Sequence, residues 1–134
     1  MASVRKEISI DVPAEQLWSA LRDVGALHTR LVVGFVTDCR LEGDARVVTF
    51  ANGMVARELI VDVNDDDRRV VWSSVGGRLS HHNASAQVFA EGATRCRVVW
   101  IADLLPHEFA PVMAGMIEQG IVAMKKTLES AVTR

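Results

Sequence analysis

Residues 109–128, FAPVMAGMIEQGIVAMKKTL, decide the architecture. Apolar or small side chains fall at Phe109, Val112, Met113, Met116, Ile117, Gly120, Ile121, Met124 and Leu128. Steps of three and one, closing on a four, trace one stripe along a helix. Such a stripe has to be buried. Between residues 34 and 103 the chain offers only short alternating runs, so the surface that buries it is a single bent antiparallel sheet. A long helix held by a bent sheet leaves room between the two, and function is expected there.

Working outward, the strands are predicted at residues 4–12, 35–41, 45–51, 55–63, 69–75, 81–90 and 94–103. Turns punctuate them at Glu42-Gly43-Asp44, Asn52-Gly53, Asn64-Asp65-Asp66-Asp67, Gly76-Gly77 and Glu91-Gly92. Asn-Gly between alternating runs predicts a tight hairpin in which both residues take positive φ. After the first strand, Asp11-Val12-Pro13-Ala14-Glu15 opens a helix, with Pro13 in its first turn and Leu17, Trp18 and Leu21 as its buried stripe. A second short helical piece is predicted over 24–32, after a break at Gly25. The three consecutive aspartates lack the alternate spacing and distal glutamate of a calcium loop and read as a solvated turn.

Composition narrows the function classes. The chain has 134 residues, 49% hydrophobic and 24% charged, which suits one globular domain. A net charge of −2 gives no field that seeks a polyanion, so nucleic acid is not an expected partner. No apolar run reaches the roughly 18 residues of a membrane span, and a basic-then-apolar leader is missing. The expected setting is the cytoplasm. Cys39 and Cys96 fall inside predicted strands without metal or disulfide spacing, so no metal is expected. Nucleophile elbows, phosphate loops and dinucleotide fingerprints do not occur.

The order is strand, two short helices, six hairpin-linked strands and a long helix. Together with VARELIVDVNDDDRRVVWSSVGGRLSHHNASAQV (55–88) and TRCRVVWIADLLP (94–106), it resembles the helix-grip superfamily. This SRPBCC or START-like group contains lipid-transfer domains, polyketide cyclases, the birch-pollen allergens and the plant abscisic acid receptors. The resemblance implies an α+β fold, one domain over residues 1–134: a seven-stranded antiparallel curved sheet wrapped around a long C-terminal helix, with two short helices after strand 1. It implies a cavity whose occupant differs between members.

Side-chain direction follows from strand alternation. Over 81–90 the less polar face carries His82, Ala84, Ala86 and Val88, and it should face the helix. Val98, Trp100 and Ala102 should point inward as well, while Arg95 and Arg97 point out. Alanines there keep space open. Gly115 and Gly120 imply close backbone approach or vacated volume, at about 1 kcal/mol each against alanine. Met113, Met116 and Met124 suit an adaptable lining or an ordinary core equally. Trp18 and Trp72 read as core.

Three polar residues are candidates for chemistry. Glu58 shares a face with Ala56 and Ile60, while Val55, Leu59, Val61 and Val63 form the more hydrophobic rival phase. The pattern favours an exposed Glu58; the resemblance to abscisic acid receptors implies an inward carboxylate, able to give or take a proton. His82 opens the small apolar face beside the Gly76-Gly77-Arg78-Leu79 turn, where it can orient a carbonyl or shuttle a proton, or simply bond a backbone carbonyl. His81 should face solvent, and neighbouring histidines on a strand cannot chelate one ion together. The segment GGRLSHHNAS resembles the receptors' latch, with Gly76, Gly77, Arg78 and Leu79 matching, and it implies Arg78 as an anion contact. The latch histidine and the gate loop are missing, which argues against hormone gating.

The expected function is therefore binding of a hydrophobic small molecule (lipid, polyketide or isoprenoid-like) without a cofactor, in a monomer or homodimer with no stable membrane insertion. The expected binding residues are Glu58, Arg78, His82, Ala84, Ala86, Val98, Trp100, Phe109, Met113, Met116, Ile117, Gly120 and Met124. The alternative is a cyclase or aromatase using His82 or Glu58 in the same cavity. Any version that depends on a tyrosine hydroxyl is excluded, because the chain has no tyrosine. A macromolecular interaction module would instead require a filled interior.

Overall fold

A computed structural model describes residues 2–132. The chain runs β1 (Ala2–Ile10), α1 (Ala14–Arg22), a π-helical turn (Leu27–Leu31), β2 (Val36–Glu42), β3 (Ala45–Phe50) and β4 (Val55–Asn64). It continues through β5 (Arg69–Val75), β6 (His81–Ala90), β7 (Cys96–Leu105), a 3-10 turn (His107–Phe109) and α2 (Ala110–Val132). The strands form one antiparallel sheet in the order β1-β7-β6-β5-β4-β3-β2. This is the helix-grip arrangement of a curved sheet and a long C-terminal helix.

Local chemistry explains where the elements depart from expectation. Pro13 stands outside α1 as its cap, with φ −58° and ψ 146°. Its carbonyl accepts the first helical N–H groups, those of Gln16 and Leu17, at 3.0 and 3.3 Å. The second helical piece is only five residues long and is wound wider than an α-helix, the Val32 N–H reaching back to the Leu27 carbonyl at 2.9 Å. Asp65 in the β4–β5 turn is not merely solvated. Its carboxylate accepts bonds from Trp18 Nε1 and Arg22 Nε, both at 2.9 Å, and ties the turn to α1.

The β3–β4 hairpin sets which side chains of these two strands meet across the concave face. Its Asn52-Gly53 tip is not the two-residue turn with both φ values positive that the dipeptide predicts. Instead Gly53 alone has the left-handed φ, at 89°, and the loop spans residues 51–53. Phe50 N–H bonds Met54 O at 2.8 Å, and Gly53 N–H bonds Phe50 O at 2.9 Å. Such a three-residue loop shifts the strand register by one against a two-residue turn. As a result Arg46 lies directly opposite Glu58.

Helix α2 packs against β1, β7 and the π-helical turn. Ile117, Ile121, Met124 and Leu128 are 2–3% exposed and join Leu17, Ile10 and Val98 in the core. Toward its N-terminus the stripe loosens. Phe109, Met113 and Met116 are half-buried, and Val112 is exposed. Cys39 and Cys96 are buried free thiols, and burial pushes Cys96 up to about 11. Among the described residues no helix is long and apolar enough to cross a membrane, and no three His, Cys, Asp or Glu side chains converge where they could hold a metal.

Candidate functional site

Between the loosened half of α2 and strands β3 to β6 lies a cavity of about 630 Å³. Its walls are mainly apolar: Val48 and Phe50 from β3, Val70 and Trp72 from β5, Ala86 from β6, Trp100 and Ala102 from β7. The mouth is framed by Met54, Val55, the Val75–Leu79 segment, Val112 and Met113. Trp72 and Trp100 meet edge to face, with ring centroids 5.8 Å apart. Trp72 is thus both core and wall.

Of the residues expected at the site, Glu58, Arg78, His82, Ala86, Trp100, Phe109, Met113, Met116, Ile117 and Met124 border the cavity. Ala84, Val98 and Gly120 do not. Ala84 and Val98 are almost fully buried in the packed core. At Gly120 the missing side chain is replaced by an indole: an added Cβ would lie 2.9 Å from Trp100 and 3.1 Å from Phe35. This is close approach, not vacated volume. Gly115 is exposed, and an added Cβ there would meet nothing.

Glu58 faces inward, 7% exposed, although its strand's hydrophobic pattern points the other way. The rival residues Val55, Leu59 and Val61 are the exposed ones. What reverses the pattern is Arg46, 4% exposed on the neighbouring strand, whose Nε donates to Glu58 Oε1 at 2.8 Å. Arg46 also donates through Nη1 to the Val24 carbonyl at 3.3 Å, and its guanidinium lies over the Trp72 ring, 5.3 Å from the centroid. A buried guanidinium needs such partners, because an unpaired buried charge is costly. Sequence reasoning misses Arg46. The signal for it lies in pairing the two strands: once the hairpin loop is counted as three residues, an arginine and a glutamate fall opposite each other on the cavity face.

His82 is 6% exposed, and its Nδ1 accepts the Ser74 N–H at 2.9 Å. The backbone partner is a donor and not the expected carbonyl. A ring nitrogen that accepts an N–H carries no proton, so the neutral imidazole bears its hydrogen on Nε2. Burial pushes the His82 pKa down and His81 adds to this, while Glu58 and Asp103 pull it upward. The backbone carbonyl of His82 accepts the Ser73 hydroxyl.

These groups form a pattern. Arg46 pairs with Glu58, Glu58 pairs with Ser74, and Ser74 bonds His82. One polar residue on each of β3, β4, β5 and β6 therefore crosses the concave face, and all four border the cavity. At a strand spacing of about 4.8 Å the row is about 14 Å long. Arg78, the latch-like residue, is exposed at the mouth.

A seven-stranded antiparallel sheet gripping a long C-terminal helix is the helix-grip fold. The chain belongs to the family described as polyketide cyclase/dehydrase and lipid transport, whose model matches residues 1–129. Solved structures agree on the fold. An uncharacterised protein of Bacillus thuringiensis superposes with a TM-score of 0.85 at 18% identity, covering 95% of this chain and 98% of that one. The protein XoxI of Bacillus cereus gives 0.83 at 20% identity, with 96% of each chain covered. Truncated norcoclaurine synthase of Thalictrum flavum gives 0.74 at 18% identity, covering 98% of this chain and 92% of that one. Among curated proteins, none matches the chain in sequence.

Proposed function

We propose that this protein binds a hydrophobic small molecule between its sheet and α2, as a carrier or receptor and not as a catalyst. The observation that carries the reading is the cavity of about 630 Å³ with its mostly apolar walls. That volume falls in the range of small-molecule sites, and its few polar groups are confined to one row, as orientation of a guest requires. Burial of the guest's apolar surface supplies the affinity, at about 25 cal/mol per Å². An interaction module with a filled interior fits this cavity poorly.

The cyclase alternative draws on His82, whose Nε2–H faces no protein acceptor among the described residues. Against it stands Glu58. Its Oε1 already accepts a bond from Arg46 Nε at 2.8 Å, so one oxygen of the second proton-transfer group that such chemistry would use is engaged. Binding is the simpler reading.

The test is native mass spectrometry of the purified protein with titration of N-phenyl-1-naphthylamine, a neutral fluorescent probe. The expected result is a co-purified apolar compound, or saturable enhancement of the probe at one site. Met116→Trp, which places an indole at the cavity wall, should abolish the enhancement. A bare mass together with no probe binding overturns the proposal.

A further inference from the structure

We propose that the guest's polar head is uncharged, a ketone, ester or alcohol in place of a carboxylate, and that the Arg46–Glu58 pair enforces this choice. The inference rests on the reading of the cavity as a hydrophobic binding site and names the class of molecule it takes.

The argument is one of charge. Arg46 and Glu58 are the charged side chains buried in the cavity wall, with side-chain exposures of 5% and 10%. They neutralise each other at 2.8 Å, and Arg46 spends a further donor on the Val24 carbonyl. A carboxylate brought to this row would find its one buried cation already paired and would meet Glu58 as a like charge. A quaternary ammonium would meet Arg46 in the same way. The other cations on the wall, Arg57 and Arg78, are exposed, and Arg57 is bonded to Glu42 at 2.6 Å. Exposed pairs are weak, whereas a buried ion without a partner is heavily penalised.

A neutral oxygen meets no such obstacle. The His82 Nε2–H and the Ser74 hydroxyl stand at the end of the row beyond Glu58 and suit a carbonyl or hydroxyl oxygen. Apolar wall on both sides of the row accepts the hydrocarbon. A site whose charges cancel internally selects for hydrogen bonding and against net charge.

The experiment is displacement of N-phenyl-1-naphthylamine by three ten-carbon amphiphiles at pH 7.5: 1-decanol, decanoate and decyltrimethylammonium. The wild type should release the probe to decanol at concentrations about tenfold or more below those needed for either ion. Glu58→Gln retains an acceptor for Arg46 but leaves the row net positive, and should improve decanoate relative to decanol by about tenfold. Arg46→Gln leaves it net negative and should favour decyltrimethylammonium instead. Each variant is first checked for a native circular dichroism spectrum. If neither folds, the wild-type ranking decides. Decanoate equal to decanol in the wild type, or ratios unmoved by whichever variant folds, overturns the inference while leaving the binding site intact. Failure of the probe to bind at all overturns both.

Discussion

The two ends of α2 live in different surroundings. Its C-terminal half presents Ile121 and Leu128, 2–3% exposed, to a core shared with β1, β7 and α1, and Met124 where that core meets the cavity. Its N-terminal half, with the turn that leads into it, presents Phe109, Met113 and Met116, half-buried, to open space in front of β3 to β6. One continuous apolar stripe therefore does two jobs, and hydropathy alone does not separate them. Close packing supplies stability at one end, while at the other the absence of packing leaves the cavity.

Breaking the charge pair should have the largest effect. Glu58→Ala strands a buried guanidinium and should destabilise by about 3–5 kcal/mol, whereas the double change Arg46→Met with Glu58→Leu should be close to neutral. Urea denaturation of both variants measures the difference, and equal losses would show that the pair is not acting as a unit. Next come truncations of the two apolar regions. Leu128→Ala in the packed end should cost about 3 kcal/mol. Met113→Ala at the cavity mouth should cost about 1 kcal/mol or less, because it enlarges a space that already exists. Equal costs in denaturation curves would erase the distinction between the two ends.

The glycines of α2 sharpen the contrast further. Gly120→Ala pushes a Cβ into Trp100 and should destabilise by about 1–3 kcal/mol. Gly115→Ala meets nothing and should stabilise by about 0.5–1 kcal/mol. Melting temperatures moving in opposite directions would confirm it.

The smallest effect is that of pH. Burial lowers the His82 pKa, so the folded protein binds fewer protons there than the unfolded chain. Its contribution is complete above the ordinary histidine value of about 6.5 and is lost as pH falls below it. Bonds from Arg22 and Trp18 hold Asp65 below the usual carboxylate range, so its contribution is complete above about pH 4 and is lost only as pH falls below it. Melting between pH 7 and 5 should therefore show a mild slope that His82→Gln flattens.

Much of the fold is legible in the sequence because its signals are local. The stripe of α2, the alternation over β6 and the Gly-bearing turns each name an element without reference to distant residues. The inward set His82, Ala84, Ala86 and Val88 follows from period two, and all four are buried. What escapes a reading along the chain is relational. Glu58 cannot be placed from its own strand, because the face it shares with Ala56 and Ile60 becomes the interior only when Arg46 is set opposite it. That depends on one residue in a hairpin loop. Likewise Gly120 leaves close approach and empty volume equally open until Trp100, on a distant strand, is known to lie across it. Ala84 and Val98 share the inward face with true wall residues and differ from them only in what stands opposite.

The pairing of β1 with β7 joins residues 2–10 to residues 96–104. During synthesis the opening strand must therefore wait, with its edge unsatisfied, until nearly the whole sheet has left the ribosome. A nascent chain stopped before Cys96 would hold six strands and no closure, and it should be the form that chaperones and proteases recognise.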